Sequence, residues 1–261
     1  MDKGGNIFLL VFLIFLLIGI NYRFLDTKVI EFLDEGEFTI VERVIDGDTI
    51  VVSNDTHVRL LGINTPEKGE FYYQESKDFL ANLTLNKTIK LEYGKEKQDL
   101  YGRTLAYIIL DGKNVNIELV DEGYANFYFP SGKDVYYNSF VKAWEHCLEN
   151  GKYLCKKSND ECAQCVELKE LNVKNQTVVL YNKCNFDCNL AGWNIKDEGR
   201  KKFVFQNFIL RNNEKVSIIV GNETNSENFL YWKGEEYVWT STGDTLFLRD
   251  KEGRLILWER Y

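Results

Sequence analysis

The sequence contains little proline and little histidine: 261 residues include two of each. Neither His57 nor His146 stands in a pattern that pairs it with a cysteine, which disfavours a cysteine nucleophile with a histidine base. Apolar residues at 44% and charged residues at 28% are ordinary for a globular protein, so extensive disorder is not expected. Aromatic residues are abundant at 14%, in short β-branched runs separated by Asn, Asp and Gly, and this pattern indicates a β-rich fold.

Positive charge is not in excess either, because the formal net charge is −8. Residues 37–157 hold 15 Lys and Arg against 19 Asp and Glu. A protein that coats nucleic acid tightly and without sequence preference needs a basic surface, so the composition excludes that class. An enzyme that acts on phosphates through one metal ion and two arginines is not excluded.

An unbroken apolar run spans residues 7–20. It predicts an apolar helix that serves as an export or anchor segment. The run is short for a membrane span, which fits a cleaved signal peptide. Extension to residues 7–25, with Arg23 at the interface, gives a thin spanning helix that would bind the membrane if uncleaved. We predict a secreted protein or one anchored facing outward, with residues 24–36 as a linker.

Six cysteines follow this segment, and an even number favours disulfides in an exported protein. They are Cys147, Cys155, Cys162, Cys165, Cys184 and Cys188. The last four also have spacings close to those of a structural Zn²⁺ site. Disulfides, zinc and free thiols therefore stay open.

A hairpin over residues 166–183 would bring these cysteines together. If the turn lies at Lys174-Asn175, Cys165 faces Cys184, and Cys162 and Cys188 lie close to the same hairpin end. In the disulfide alternative, the two remaining cysteines form the third bridge.

Hydrophobic periodicity divides the chain after the linker into two domains. Residues 37–157 predict an α+β OB-fold barrel of five strands and about three helices, with one helix inserted after the third strand. Residues 158–164 read as a connector. The pattern in residues 165–261 predicts an all-β sandwich of seven or so short strands.

Two carboxylates stand close together in the turn Asp46-Gly47-Asp48, between the first two predicted strands. Such a turn presents an oxygen-rich site for a hard cation such as Ca²⁺ or Mg²⁺. Taken alone, this tripeptide is more often an ordinary hairpin turn.

Two further segments carry arginines. Arg59 lies in an apolar strand that leads to Asn64-Thr65-Pro66-Glu67, and Arg103 follows Gly102 at the head of another strand. Arginine can grip a phosphate with two parallel hydrogen bonds and stabilise the charge that develops during its hydrolysis. Glu67 can accept the proton of an attacking water. Together these groups suit phosphodiester hydrolysis, although each segment alone could be an ordinary turn or surface charge.

The motifs Asp46-Gly47-Asp48-Thr49, Arg59 to Glu67 and Asp99 to Tyr107 resemble, in order and spacing, the micrococcal (staphylococcal) nuclease family, the thermonucleases. The resemblance covers about residues 38–157. It implies an OB-fold barrel that uses one Ca²⁺ ion to hydrolyse DNA and RNA and leaves 3′-phosphate ends. The implied roles are catalysis by Arg59, Glu67 and Arg103; Ca²⁺ ligation by Asp48, Asn64 and the Thr65 carbonyl, with Asp46 just outside; and phosphate contact by Tyr101.

Two residues depart from this family. Asn64 stands where the family usually has aspartate, which should lower the affinity for Ca²⁺. Leu100 stands where the family can carry a lysine that contacts the substrate. These departures motivate an alternative function, a catalytically weak or inactive OB module that binds nucleic acid or protein.

The second domain resembles the lamin-tail family. The resemblance lies in residues 178–182, 189–195, 203–205 and 243–248, and it implies an immunoglobulin-like sandwich. Trp193 and Trp239 are expected to pack in its core. Its partner is not predicted from the sequence, and a scaffold or adhesion role for this domain is a third hypothesis.

Overall fold

The computed structural model describes residues 36–261. The predicted export or anchor segment at residues 7–20 lies outside the described residues, as does nearly all of the predicted linker. Within the described part of the chain, no helix has both the length and the apolar character needed to cross a bilayer.

The first described domain is a closed barrel. Its strands are β1 (Glu37–Val44), β2 (Thr49–Val52), β3 (Thr56–Leu60), β4 (Ile63–Asn64), β5 (Thr88–Gln98), β6 (Thr104–Leu110), β7 (Lys113–Asn114) and β8 (Asn126–Phe127). Five of them pair in the order β3-β2-β1-β5-β6, and a parallel pairing of β3 with β6 closes the ring. The predicted five-stranded barrel is confirmed.

Three α-helices accompany the barrel within residues 36–261: α1 (Tyr73–Thr84), α2 (Val115–Asp121) and α3 (Tyr137–Asn150). Phe140, Trp144 and Cys147, spaced at three to four residues along α3, are all buried against the barrel. Gly151 ends this helix in the left-handed conformation, and its N–H donates to the Cys147 carbonyl. The face that packs is therefore the one whose apolar residues recur at helical spacing.

The second domain is a β-sandwich. Its strands are β9 (Val166–Asn172), β10 (Thr177–Asn182), β11 (Cys188–Asn189), β12 (Asn194–Lys196), β13 (Lys202–Val204), β14 (Ile209–Leu210), β15 (Lys215–Val220), β16 (Phe229–Trp232), β17 (Thr245–Arg249) and β18 (Leu255–Arg260). They form four-stranded sheets β16-β15-β10-β9 and β13-β12-β17-β18, with β11 and β14 as a separate pair. The described strands exceed the seven or so predicted, because strands of two or three residues are too short for alternation to be recognised. Trp193 and Trp239 are buried in the core, as predicted.

Three disulfides decide between the alternatives for the cysteines: Cys147–Cys155, Cys162–Cys188 and Cys165–Cys184. The zinc alternative was wrong, since all six sulfurs are used in these bonds. The hairpin has the predicted register near its turn, where Asn172 faces Thr177. A bulge between Val179 and Leu180 then shifts the pairing by one residue.

The two domains pack tightly, and residues 38–261 form one compact unit. All five residues of β17 are buried, because the strand lies between two cores. Leu246 and Leu248 enter the sandwich core, while Phe247 points to the other face and joins the barrel core. There the Phe247 ring lies 5.5 Å from the ring of Trp144 in α3.

The stretch predicted as a connector is structured. The Leu255 N–H donates to the Lys156 carbonyl, and the Ser158 N–H donates to the Leu255 carbonyl. Arg249 of β17 is buried, and its Nη1 donates to the Leu154 carbonyl at 2.6 Å. Backbone and side-chain hydrogen bonds therefore fasten the end of the barrel domain to the sandwich.

We predict that Phe247→Ala lowers the free energy of unfolding by about 3–5 kcal/mol, because it leaves a cavity between the two cores. Urea denaturation with the disulfides intact would measure this loss. Phe229→Ala is the matched control, since Phe229 is 48% exposed in β16. Equal losses in the two variants would contradict the proposed packing role of Phe247.

Candidate active site

The turn between β1 and β2 presents Asp46 and Asp48 together. The Asp48 N–H donates to Asp46 Oδ1 at 3.1 Å. Gly47 between them lies against α1 and the loop after β4, where a Cβ atom would come within 2.1 Å of Ser76 Oγ and 2.9 Å of the Thr65 Cβ. Glycine is therefore required here by close approach, and the turn that sets the two carboxylates in place is held by packing.

The Asp48 carboxylate is the centre of a buried polar network. Its Oδ2 accepts hydrogen bonds from the Thr65 N–H at 3.1 Å and from the Thr65 hydroxyl at 2.9 Å. The same oxygen lies 3.1 Å from Arg59 Nη2. The β2–β3 register, with Thr49 facing Arg59, produces this proximity. Three of the residues predicted for one site are thus in direct contact.

Arg59 is held in place by the barrel itself. Its Nη1 donates to the Leu60 carbonyl at 2.6 Å, and its Nη2 donates to the Ile63 carbonyl at 2.9 Å. Burial lowers the pKa of Arg59, and the charge of Asp48 opposes that shift. A guanidinium fixed by carbonyls in this way has little freedom to reorient, which suits a group that must meet a phosphate in one geometry.

The chemistry of this region fits a hard cation. Burial, and next the charge of Asp48, raises the pKa of Asp46, so the negative charge there is not fully compensated. Carboxylate, amide and carbonyl oxygens of Asp48, Asn64 and Thr65 are the donor types that Ca²⁺ prefers. Within residues 36–261 no cluster of three or more His, Cys, Asp or Glu side chains could hold a metal, so a cation here would depend on the amide and carbonyl oxygens as well.

Asn64 also contacts the sandwich domain, which the sequence did not reveal. Its Nδ2 donates to the carbonyls of Gly199, at 2.6 Å, and Glu198, at 3.4 Å, both in the sandwich domain. The amide oxygen is therefore the side-chain atom left to face a cation. An aspartate at this position would place a carboxylate against these carbonyls, so the amide gives this chain an interdomain contact that a carboxylate could not make.

Arg103 lies beside Arg59 on the barrel wall. Val58 of β3 pairs with Thr104 of β6, directly after Arg103, and the charge of Arg103 is among the causes that lower the pKa of Arg59. Gly102 adopts a φ of +80° in the turn before β6. The Arg103 Nε donates a hydrogen bond to Asp99 Oδ2 at 2.7 Å. Arg59 in β3 and Arg103 in the turn directly before β6 therefore lie on the same side of the barrel, because β3 and β6 are neighbouring strands.

Tyr101 lies in the same turn as Arg103 and is 83% exposed. The Arg103 guanidinium lies 5.7 Å from the centre of its ring. Leu100 beside it is fully exposed. The turn therefore presents an aromatic ring and a guanidinium to solvent, next to an exposed leucine.

Glu67 lies in the loop after β4. Among residues 36–261, its side chain makes no direct contact with Asp48 or Arg59. Its Oε1 lies 2.9 Å from Nε of Arg200 in the sandwich. Glu70 in the same loop is 3.3 Å from Nζ of Lys196 and 2.5 Å from Nζ of Lys202. These cations hold the pKa of Glu70 down at about 2 against the opposing effect of burial. The loop that carries the predicted proton acceptor is thus docked on the second domain.

Arg200 is not among the site residues that the sequence predicts, although it pairs with Glu67. The signal available was the run Arg200-Lys201-Lys202, which interrupts a β-rich region in an acidic chain. Nothing in the linear sequence places that run beside Glu67, more than a hundred positions earlier.

Two segments of the chain match known protein families. Residues 57–154 match the family described as Staphylococcal nuclease homologue, and residues 156–261 match the family described as Lamin Tail Domain. The chain therefore joins a domain of the staphylococcal nuclease family to a lamin tail domain.

Relatives of the first domain are known in several bacteria. The chain is 40% identical to the thermonuclease of Staphylococcus intermedius over 109 residues, which cover 38% of this chain and 65% of that protein. It is 41% identical to the thermonuclease of Staphylococcus hyicus over 104 residues, covering 36% of this chain and 62% of that protein. Endonuclease YhcR of Bacillus subtilis is 36% identical over 129 residues, which are 42% of this chain and 11% of that protein. The chain thus spans somewhat less than two thirds of the length of either thermonuclease.

A cluster of buried acids lies where the sandwich meets the barrel. The Phe129 N–H donates to Glu198 Oε1 at 3.2 Å, and the Thr245 hydroxyl donates to Glu198 Oε2 at 3.2 Å. Burial, and next the charge of Asp244, raises the pKa of Glu198 to about 7. The same two causes raise the pKa of Asp197 to about 7.

We predict that Glu198 makes the fold less stable as the pH rises from about 4.5 to about 7. In the unfolded chain the Glu198 carboxyl has its ordinary pKa of 4.5, so the folded protein keeps the proton to a higher pH. The stabilisation that results is complete below pH 4.5 and is lost as the pH rises through about 7. The free energy of unfolding across this range, from urea denaturation, should fall less in Glu198→Gln than in wild type. The exposed Glu214→Gln serves as control, and parallel curves for all three proteins would refute the assignment.

Proposed function

We propose that this chain is a Ca²⁺-dependent nuclease that hydrolyses phosphodiester bonds in DNA or RNA and leaves 3′-phosphate ends. The observation that carries the proposal is the buried network in which Asp48 contacts Thr65 and Arg59, with Arg103 directly before the adjoining strand. Relatives named thermonuclease and endonuclease support it. The geometry favours a nuclease over a module that only binds, since binding alone does not require a buried arginine oriented beside paired carboxylates.

Residues of this chain supply the acid–base and charge-stabilising groups. Arg59 and Arg103 donate hydrogen bonds to the phosphate oxygens as negative charge increases on them. Glu67 accepts the proton of the water that attacks phosphorus, and the bond from phosphorus to the 5′ oxygen breaks. The fixed hydrogen bonds of Arg59 keep its guanidinium oriented before the substrate arrives.

The cation would be held by Asp48, the Asn64 amide oxygen and the Thr65 carbonyl, with Asp46 nearby. Bound there, Ca²⁺ would supply positive charge that polarises the phosphate. The positive charge of the ion would also offset the negative charges of the Asp46 and Asp48 carboxylates.

Export is part of the proposal. Three disulfides are typical of proteins that fold in oxidising compartments, and the apolar run at residues 7–20 suits an export or anchor segment. Outside the cell, Ca²⁺ reaches concentrations that a weak extracellular site can use.

We predict that Glu67→Gln lowers kcat by about 10²–10⁴-fold, because the variant loses its proton acceptor. The measurement is digestion of single-stranded DNA and RNA in ample Ca²⁺, with the ends of the products identified by mass spectrometry. Glu145→Gln is the control, since Glu145 is exposed on α3. The proposal fails if wild type leaves both polymers intact, or if the Glu67 and Glu145 variants cut equally well.

We predict that Ca²⁺ raises the Tm of the wild-type protein and that Asp48→Asn abolishes this increase. At a hundredfold excess over Kd, a ligand that binds only the folded state stabilises it by about 2.7 kcal/mol. Differential scanning calorimetry with and without Ca²⁺ measures the shift within each protein, so a change in the basal Tm of the variant does not interfere. Equal shifts in both proteins would place the ion elsewhere.

A further inference from the structure

The turn between β12 and β13 of the lamin tail domain is fixed against the candidate active site. Within the turn, the Asp197 N–H donates to the Lys201 carbonyl at 3.1 Å, and the Lys201 N–H donates to Asp197 Oδ1 at 2.9 Å. The barrel holds it from two sides, through Asn64 to the Gly199 carbonyl and through the Phe129 N–H to Glu198. The backbone at Arg200 is therefore positioned by both domains.

The side chain of Arg200 extends from this turn toward solvent. It is 58% exposed, and its Nε lies 2.9 Å from Glu67 Oε1. Its charge is among the causes that lower the pKa of Arg59, which places it in the same electrostatic environment as the buried arginine. A guanidinium on a fixed backbone with an exposed head is well prepared to bind an incoming anion.

We propose that Arg200 is a substrate-binding residue of the nuclease site, contributed by the lamin tail domain, and that its guanidinium binds a backbone phosphate of the polynucleotide. This inference rests on the proposed nuclease function. When a phosphate binds the guanidinium of Arg200, the ion pair between Arg200 and Glu67 opens. The second domain would thus complete the active site of the first.

The charge distribution next to Arg200 supports this role. The barrel domain carries more acidic than basic residues, so it offers little general attraction for a polyanion. A cleft of about 210 Å³ is lined by Lys196, Lys202, Arg249 and Lys251 and by Glu70, which pairs with the first two of these cations. Lys196 and Lys202 pair across the strands that flank the Arg200 turn. The sandwich therefore places several cations beside the site, and Glu70 neutralises part of their charge.

An inhibitory role for the Arg200–Glu67 pair is less consistent with the structure. Both side chains are about half exposed, at 58% and 48%. Exposed ion pairs shift an equilibrium by less than about fivefold, so this one could suppress activity only slightly. An exposed pair of this kind opens readily when a phosphate competes for the arginine.

The test combines kinetics with binding on the full chain. We expect Arg200→Ala to raise KM for single-stranded DNA about three- to fivefold, with kcat changed less than twofold, because an exposed charged contact is lost from binding. Fluorescence anisotropy with a labelled DNA strand in EDTA, where the strand stays intact, should give a plot of log K against log salt whose slope is smaller by about 0.7 than in wild type. Arg200→Lys should recover most of that slope because it keeps the charge.

Arg211→Ala is the matched control, because Arg211 is a similarly exposed arginine of the same domain and pairs with Glu227. It should leave KM and the salt slope unchanged. A higher kcat in Arg200→Ala with unchanged KM would establish inhibition and overturn the proposal, as would kinetics and binding equal to those of Arg211→Ala. Failure of the nuclease function itself would be recognised separately, since wild type would then cut nothing.

Discussion

The buried carboxylate of Asp48 connects the three stretches of chain that make up the candidate site. It receives two hydrogen bonds from Thr65 and lies against the guanidinium of Arg59, which is itself fixed by two backbone carbonyls. A buried charge is tolerated only when it is paired and hydrogen-bonded, so each of these groups requires the others. The loop from Thr65 to Glu70 begins at this network, and that loop carries the ion pairs of Glu67 and Glu70 with the second domain.

The lamin tail domain is more than an appended module. It contributes Phe247 to the barrel core, two carbonyls to Asn64, and cations to both acidic side chains of the loop after β4. A substrate that binds near Glu67 must therefore meet the turn that carries Arg200. The acidic composition of the barrel and its proposed action on a polyanion are reconciled if positive charge is supplied across the domain interface.

Much of this structure could be predicted from local patterns. Alternating residues in β10 and the apolar face of α3 reflect periods of two and about 3.6, which any buried strand or helix must show. The turn near residue 174 predicted the register of its neighbouring residues, and Cys165 bonds Cys184 although a bulge shifts the pairing by one residue before the cysteines. The number of sandwich strands was underestimated, since pairs such as β11 and β14 are formed by partners distant in sequence.

The sequence by itself determined the order of barrel strands and helices and the candidate carboxylates and arginines, because each depends on residue type at short spacing or on a known motif. The tertiary structure alone decided that Asn64 bonds the sandwich, that Glu67 pairs with Arg200, and that β17 is buried on both faces. These features arise where two independently patterned surfaces meet. Such a contact leaves no periodic signal in either segment, because it depends on the relative position of whole domains.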